Sequence, residues 1–298
     1  MISVIICSRN QHISTSLAEN IQTTIGTAHE IIVVDNSKND HSIFSAYNRG
    51  VRLSNFPYLC FVHEDVKFIT GNWGINLMHH LDDPETGIIG VAGGKMMTKV
   101  PASWSADRRY MHIVQHQSRK KSTKVHIKEP LPVRNIKEPA VVVDGVLLGA
   151  RRDLFHRISF DESFTGFHGY DFDSCFQSVA AGYRNYVVYD LLIEHFSEGF
   201  KSDLYYRNLM NIFKKWEEYL PFFVHDLPPI PASRLDKIES RNLAKLIRRL
   251  ARTGFESAEI IECATYYADL LHTRKAQNQL RFIRIKIMFE RLFNSRKK

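Results

Sequence analysis

The most constraining feature of this sequence is an uncharged, apolar stretch that ends in two adjacent carboxylates. Residues Tyr58–Val62 predict a buried strand of a parallel sheet, and Glu64 and Asp65 follow directly after His63. Ligands bind at the carboxyl ends of strands in open α/β sheets, and two neighbouring anions become tolerable there when a divalent cation joins them. A solvated turn after a strand is the simpler interpretation of the same residues, so the rest of the chain has to decide between the two.

The residues before this stretch alternate between strand and helix patterns. Apolar runs at residues 2–7 and 30–34 predict strands, and the four-residue spacing of apolar side chains over 13–25 and 44–51 predicts helices. This order indicates an α/β fold with a doubly wound, mainly parallel sheet, in which right-handed crossovers bring the carboxyl ends of the strands to one edge. We therefore expect Asp35, which follows the second strand, to share a crevice with the acid pair.

The pattern continues after one long interruption. A helix is predicted at residues 73–81 and strands at 87–92 and 140–143, the last ending in Asp144. Between them, residues 95–139 contain four prolines and show neither helical nor alternating periodicity. We interpret this insertion as a functional loop rather than a disordered segment.

The second half of this region carries the remaining candidate groups. Residues 149–155 predict the start of a short helix, and a last strand at 186–189 is followed by His195. Residues 160–173 are dense in glycine, aromatic residues and carboxylates, and a helix begins at Asp171. The helix dipole favours acids in the first turn, but it does not explain the glycines and aromatic residues just before them, whereas a sugar site needs aromatic walls and a few directed polar groups.

Charge and cysteine content limit the class of protein. The net charge of +8 lies in the end of the chain, because residues 232–298 hold 16 Lys and Arg against 7 Asp and Glu. The four cysteines are far apart without a C-x-x-C pair, which fits reduced thiols in a cytoplasmic protein. The beginning lacks the basic flank and cleavage site of a secretory signal, and no run of roughly 18 apolar residues occurs.

A proline-rich linker at residues 227–231 leads to three predicted helices at 235–252, 257–272 and 275–293. Their basic charge suggests attachment to an anionic membrane surface, which would make the protein peripheral at the inner face of the membrane. The apolar content of the last helix suggests a homodimer contact instead. A solvated basic face that packs its other side on the core explains the same residues without a partner.

The order of parts in the first half of the chain resembles the nucleotide-binding half of family 2-like glycosyltransferases with the GT-A fold. These parts are the opening strand with its polar turn, residues 32–37, residues 46–50 and a strand ending in acids. Residues 144–145 and 169–173 resemble the acceptor half of galactosyltransferase-like members of that group, and the resemblance covers about residues 1–199. It implies a GT-A domain at 1–200, with a nucleotide-binding half at 1–94, an insertion at 95–139 and an acceptor half at 140–200, followed by a helical basic region at 201–298.

The resemblance implies a metal-dependent, inverting glycosyltransferase that uses a nucleotide diphosphate sugar, with UDP-hexose favoured. A divalent ion, Mn²⁺ or Mg²⁺, would neutralise the diphosphate leaving group. In the family an Asp-x-Asp-type motif and, in many relatives, a later histidine bind this ion, and Asp65 and His195 match these positions. Because His63 occupies the first position of the motif, it stays open whether His63 or Glu64 is also a ligand.

The resemblance also assigns the substrate residues. Asp171 matches the base that deprotonates the acceptor hydroxyl of a glycan or lipid-linked acceptor, and Asp173 is the alternative. Asp35 matches the acid that contacts the nucleoside. The predicted substrate-binding residues are Ser8, Arg9, Asp35, Asn36, Glu64, Asp144, Gly145, Gly169, Tyr170 and Asp173.

Two other functions remain as alternatives. A non-catalytic nucleotide-sugar-binding protein of the same fold would explain His63 as the mark of a decayed metal site. A nucleic-acid-binding protein would use the basic helices, but the sequence contains no recognised nucleic-acid motif, so nucleic acid is an unlikely partner.

Overall fold

The structure is a computed structural model that describes residues 1–104, 109–116, 123–125, 136–197 and 201–295. The strands, β1 to β16 in chain order, are Ile2–Ser8, His29–Asp35, Tyr58–Val62, Val66–Phe68, Thr86–Gly90, Ala92–Gly94, Met96–Met97, Arg109–Met111, Ile113–His116, Thr123–Val125, Lys137–Ala140, Val142–Val143, Leu147–Arg151, Arg184–Val188, Ile193–His195 and Phe222–Phe223. The helices, α1 to α8, are Thr15–Thr24, Ile43–Leu53, Trp73–Leu81, Tyr170–Ala180, Asp203–Lys215, Ala232–Leu250, Ser257–Leu271 and Arg274–Ser295, and a short 3-10 helix spans Arg152–His156.

A seven-stranded sheet forms the centre, in the order β11-β14-β5-β13-β3-β1-β2. β1 is parallel to β2 and β3, and β14 is parallel to β5, whereas β13 runs antiparallel between β3 and β5. The predicted mainly parallel α/β sheet is therefore confirmed. In the register of β1 and β2, Ser8 lies opposite Asp35, so the carboxyl ends of these strands meet at one edge as expected.

Apolar side chains cover both faces of this sheet. On one face α2 packs Phe44 and Tyr47 against Phe61 of β3, and on the other Trp73 of α3 stacks on Phe68 at 3.9 Å between ring centroids. The four-residue periodicity read from the sequence therefore corresponds to the buried faces of real helices. Gly50 belongs to this packing, because a Cβ atom at that position would overlap the side chain of Ile5 of β1.

The prediction of a helix starting at residues 149–155 is wrong in its first part. Residues up to Arg151 continue β13, and only Arg152–His156 form a helical turn. The small residues Gly149 and Ala150 indicated a helix start, but they are buried in the middle of the sheet, where a Cβ on Gly149 would lie 2.8 Å from Ile89 of the neighbouring strand. Close packing between strands, and not helix propensity, explains these small side chains.

The insertion at residues 95–139 contains regular structure in its described parts. β9 runs parallel to β15 in a separate four-stranded sheet, and β8 pairs with β6 in a three-stranded sheet. Its basic run at 119–121 lies outside the described residues. The interpretation as a functional loop stays a prediction, and the pairing with β15 places part of the insertion beside His195.

The sequence of residues 204–220 predicts one helix that ends before Pro221, but α5 ends at Lys215 and residues 216–219 form a turn. α5 packs Leu209 and Phe213 into the same cluster as the sheet, while Tyr206 on its other side joins the cluster formed by α6 to α8. The predicted division at residues 200 and 201 stays a prediction, and α5 connects the two clusters. No helix in the described ranges is long and apolar enough to cross a membrane.

Candidate active site

Three side chains able to ligate a metal ion converge at the sheet edge. His63 and Asp65 follow β3, and the antiparallel pairing of β15 with β4 brings His195 beside them. The Oδ1 atom of Asp65 lies 3.4 Å from Nε2 of His195 and 3.9 Å from Nδ1 of His63, and one ligand atom from each residue lies within 4.8 Å of the others. Ligand atoms bonded at about 2.0–2.6 Å to one ion are separated by at most about 5 Å, so these three fit a single ion.

Gln115 determines which nitrogen of His195 faces Asp65. Nε2 of Gln115 donates to the carbonyl oxygen of Ser197 at 2.6 Å, so its Oε1 accepts from Nδ1 of His195 at 3.0 Å. In the neutral ring, Nε2 of His195 therefore carries a lone pair, and this buried atom has no hydrogen-bond partner among the described residues. A buried lone pair opposite a carboxylate calls for a cation between them, and a histidine ligand oriented through its other nitrogen is typical of metal sites.

Tyr170 orients His63 in a similar way. The Tyr170 hydroxyl donates to the carbonyl oxygen of Gly145 at 2.8 Å, and the same oxygen lies 2.9 Å from Nε2 of His63. Because the hydroxyl proton is already used, His63 donates from Nε2 and keeps a lone pair on Nδ1, the nitrogen nearer Asp65. Desolvation, followed by the neighbouring His195, lowers the pKa of His63, so the ring is neutral at neutral pH.

The Asp65 carboxylate is ionised. Burial by itself would raise the pKa of Asp65, but His195, Ser197 and His63, of which the two imidazoles act when they are protonated, hold the pKa far below its usual range. One carboxylate and two imidazole lone pairs form a ligand set that can hold a divalent metal ion. These residues therefore fit the divalent metal that the sequence predicts, and they include His63.

Glu64 points toward the first loop instead of the metal cluster. Its carboxylate accepts from the Ser8 hydroxyl at 2.6 Å and from the Arg9 backbone N–H at 3.2 Å. Asp35 is exposed at the end of β2 and accepts from the Ser37 N–H at 2.9 Å. Ser8, Arg9, Asp35 and Glu64 thus lie along one edge, as the sequence predicted.

Asn36 is buried, unlike the exposed Asp35 before it. It is 6% exposed, and its amide both donates to the His41 carbonyl oxygen and accepts from the His41 N–H, each at 2.9 Å. These bonds close the loop between β2 and α2. Asn36 therefore shapes the loop that presents Asp35, and its role in substrate binding stays a prediction.

Asp171 and Asp144 form the acidic wall next to the metal cluster. Asp171 accepts from the Gly145 N–H at 3.3 Å, and Asp144 accepts from the Trp104 indole N–H at 2.7 Å. Burial, followed by the charge of Asp144, raises the pKa of Asp171 to about 7. A carboxylate whose pKa lies near the operating pH is well suited to accept a proton during a reaction.

Close contacts explain both glycines of the predicted site. Gly145 leaves no room for a side chain, because a Cβ there would overlap the hydroxyl of Tyr170. Gly169 begins α4 with a φ of 94°, in the left-handed region that favours glycine, and a Cβ there would overlap Ile212 of α5. Both glycines therefore position Tyr170 and Asp171.

Asp173 is separated from this wall. It is 1% exposed and accepts from Nζ of Lys215 and from the Trp216 indole N–H, each at 2.8 Å, and from the Gln177 amide at 2.8 Å. These bonds join α4 to α5. Of the two acids in the first turn of α4, the structure brings only Asp171 to Gly145 and Asp144.

Comparison with known proteins agrees with this geometry. Residues 3–216 match the model of a family described as "Glycosyltransferase like family". This chain belongs to that family. No curated protein matches the sequence.

Solved structures show the fold of this glycosyltransferase. GalNAc-T7 with UDP, GalNAc and Mn²⁺ is similar over 84% of this chain and 56% of its own, with 14% identity and a TM-score of 0.52. TarS 1-349 of S. aureus is similar over 96% of this chain and 87% of its own, with 13% identity and a TM-score of 0.53. The chain thus spans a little over half of the GalNAc-T7 chain. The predicted GT-A fold and glycosyltransferase class are confirmed.

Sequence reasoning missed two supporting residues of this glycosyltransferase and one contact of a third. Trp104 and Gln115 lie in the insertion that showed no periodicity, so nothing local indicated that they contact Asp144 and His195. Tyr170 was predicted to bind substrate, but its contact with His63 was not foreseen. A signal was present for His63 itself, because it precedes two acids at a strand end, where ligands bind.

Proposed function

We propose that this glycosyltransferase moves a sugar from a nucleotide diphosphate sugar to an acceptor hydroxyl with inversion, and that it depends on a divalent ion. One observation carries the proposal: a cluster of three metal-ligand atoms is connected through Tyr170 and Gly145 to a separate carboxylate, Asp171, with a raised pKa. A metal-dependent leaving-group site beside a base is what such a transfer requires.

His63, Asp65 and His195 would hold the ion, which when bound neutralises the charge that develops on the leaving diphosphate. Gln115 and Tyr170 keep the two imidazole lone pairs directed at the ion position. Asp35 is placed to contact the ribose or base of the donor, because it is exposed at the same edge beside Ser8.

Asp171 would take the proton from the acceptor hydroxyl as that oxygen attacks the anomeric carbon. The bond to the Gly145 N–H orients the carboxylate, and the raised pKa makes it basic enough to accept a proton near neutral pH. Attack and departure on opposite faces of the sugar invert its configuration without a covalent intermediate. Asp144, fixed by Trp104, is placed to bind a sugar hydroxyl of donor or acceptor.

UDP-hexose is the favoured donor and Mn²⁺ the favoured ion, in line with the UDP and Mn²⁺ in the structure of GalNAc-T7. Calorimetric titration with UDP-, GDP- and dTDP-sugars, each with Mn²⁺ and with EDTA, tests the proposal. We expect one nucleotide to bind tightly with Mn²⁺ and at least tenfold more weakly with EDTA. Equal binding under both conditions would indicate the non-catalytic binding protein instead.

The acceptor is proposed to be a glycan or a lipid-linked glycan. Contact of the C-terminal helices with an anionic membrane surface, or with a second copy of the chain, stays a prediction. Phe282 and Ile285 of α8 are 68% and 50% exposed, which gives either contact an apolar surface.

A further inference from the structure

A cavity of about 410 Å³ lies where the segment before α5, α5 itself and α6 meet the loop at residues 101–103. Among the described residues that line it, every charged one is cationic. These residues are Arg109, Lys201, Lys245, Arg248, Arg249 and Arg252. Among the described residues, none of these six forms an ion pair within 4.0 Å of a carboxylate.

Helix electrostatics alone do not account for this arrangement. Lys245, Arg248, Arg249 and Arg252 are spaced three and four residues apart on one side of α6 and the turn after it. Like charges at this spacing destabilise a helix. The dipole compensates cations in the last helical turn, but it has no bearing on Arg109 and Lys201, which belong to other segments.

Buried polar contacts hold the walls of the cavity together. The Glu239 carboxylate of α6 accepts from the backbone N–H groups of Lys99 and Val100 at 2.7 and 3.1 Å. The Asn242 amide donates to the Thr98 hydroxyl at 3.0 Å. Both α6 side chains are at most 3% exposed, so the loop that leads into residues 101–103 is fixed against the helix.

The cavity lies near the acidic wall of the active site, because the charges of Asp144 and Asp171 act on its lining residues Lys201 and Tyr205. Tyr205 lines the cavity, its ring centroid lies 5.3 Å from that of His168, and burial together with the charge of Asp171 raises the pKa of Tyr205. On the other side, Trp104 directly follows the lining loop and donates to Asp144. An acceptor whose hydroxyl reaches Asp171 can therefore extend into the cavity.

We propose that this cavity binds phosphate groups of the acceptor, so that the enzyme acts on a phosphate-bearing glycan or lipid-linked glycan. The acceptor role rests on the proposed function. Six cations without a carboxylate partner among the described residues exceed what one carboxylate would neutralise, and arginine pairs bidentately with phosphate oxygens. The phosphate belongs either to the glycan chain or to a lipid head group, and the two sources share this chemistry.

Titration of the full chain with sodium triphosphate in EDTA tests the site without metal at the donor position. The cavity variant is K245E/R249E, and its control is R234E/K237E, which makes the same charge change on exposed positions of α6 outside the cavity. We expect saturable binding to the wild type, at least tenfold weaker binding to the cavity variant, and a change below twofold in the control. Equal loss in both variants, or no binding to the wild type, would overturn the site.

Two further ligands test the phosphate class and its source. Citrate that binds as tightly as triphosphate would overturn the preference for phosphate. Vesicles of phosphatidylglycerol, compared with vesicles of phosphatidylcholine, separate the two sources of phosphate. If the enzyme binds triphosphate and also pellets with phosphatidylglycerol in a way that depends on the cavity, a lipid head group is supported. If it binds triphosphate but does not pellet, phosphate within the glycan is supported. Cavity-dependent pelleting without triphosphate binding would overturn the proposal in favour of a membrane-contact surface.

The acceptor role is measured separately, by transfer to phosphorylated and unphosphorylated forms of the same disaccharides. We expect the phosphorylated forms to be preferred and K245E/R249E to raise their KM at least tenfold without changing the donor KM. Transfer without preference for phosphate would overturn the proposal. Triphosphate binding with no metal-dependent donor binding would instead leave the anion site standing and refute the proposed function.

Discussion

The acidic crevice at the strand ends and the basic cavity beside α6 are built in opposite ways. In the crevice each charged group follows a strand or begins a helix, and neighbours fix it, as Trp104 fixes Asp144 and Ser8 fixes Glu64. In the cavity the cations are exposed and come from separate segments. Groups that take part in bond making need fixed geometry, whereas long, mobile cationic side chains are enough to neutralise an anion.

The largest expected effect separates the two acids of the first turn of α4. Asp171→Asn removes the proposed base and should lower kcat by about 10²–10⁴-fold. Because the amide can still accept from the Gly145 N–H, donor affinity should stay within about twofold. Single-turnover transfer and calorimetry with the donor measure the two effects, and a folded variant with a nearly wild-type rate would show that Asp171 is not the base.

The second effect tests whether the crevice and the cavity are independent sites. Asp65→Ala removes the only anionic member of the three-residue cluster, and we expect Mn²⁺-dependent nucleotide binding to fall by at least about 100-fold. Triphosphate binding in EDTA should not change. Loss of both nucleotide binding and triphosphate binding would mean that the two regions form a single site or that the variant does not fold.

A third effect of the same substitution concerns stability: Asp171→Asn should lower kcat but raise the free energy of unfolding. The folded-state pKa of Asp171 is raised from 3.8 to about 7, so its contribution to stability is present below about pH 4 and is lost as the pH rises toward 7. Asp171→Asn should therefore be more stable than the wild type by about 4 kcal/mol at pH 8, and by less than about 1 kcal/mol near pH 4. Urea unfolding at both pH values checks this, and a destabilised variant at pH 8 would contradict the raised pKa.

The smallest effect tests the orientation of His63. Tyr170→Phe removes the acceptor for Nε2 of His63, and we expect Mn²⁺ affinity to fall by about tenfold. Tyr219→Phe is the matched control, because Tyr219 is 60% exposed and lies on the turn after α5. Equal Mn²⁺ affinities of both variants would show that Tyr170 does not orient a ligand.

The same contrast explains what could be predicted from the sequence. Residues that follow an apolar strand, such as Asp35 and Asp65, are local signals, because sheet topology brings strand ends together. Gln115 has no such signal, since its position depends on the pairing of β9 with β15 across the chain. The spacing of basic residues on α6 could have indicated a cationic face. Whether this face lies beside Arg109 and Lys201 depends on how the elements pack.

Local patterns also misled where packing decides the outcome. Gly149 and Ala150 indicated a helix start, yet they lie in a strand because the sheet is crowded at that point. Asp173 is the alternative base, and the sequence predicts that a position two residues later in the helix faces another way; in the structure Asp173 accepts from Lys215 and Trp216. Residue type and spacing thus identified the edge of the sheet, and side-chain packing determined which of the acids belong to it.

The proposed metal site is tested most directly by anomalous diffraction from a crystal grown with Mn²⁺ and UDP. We expect one manganese peak within bonding distance of Nδ1 of His63, Nε2 of His195 and a carboxylate oxygen of Asp65. A peak elsewhere, or no peak at this cluster with UDP bound, would contradict it.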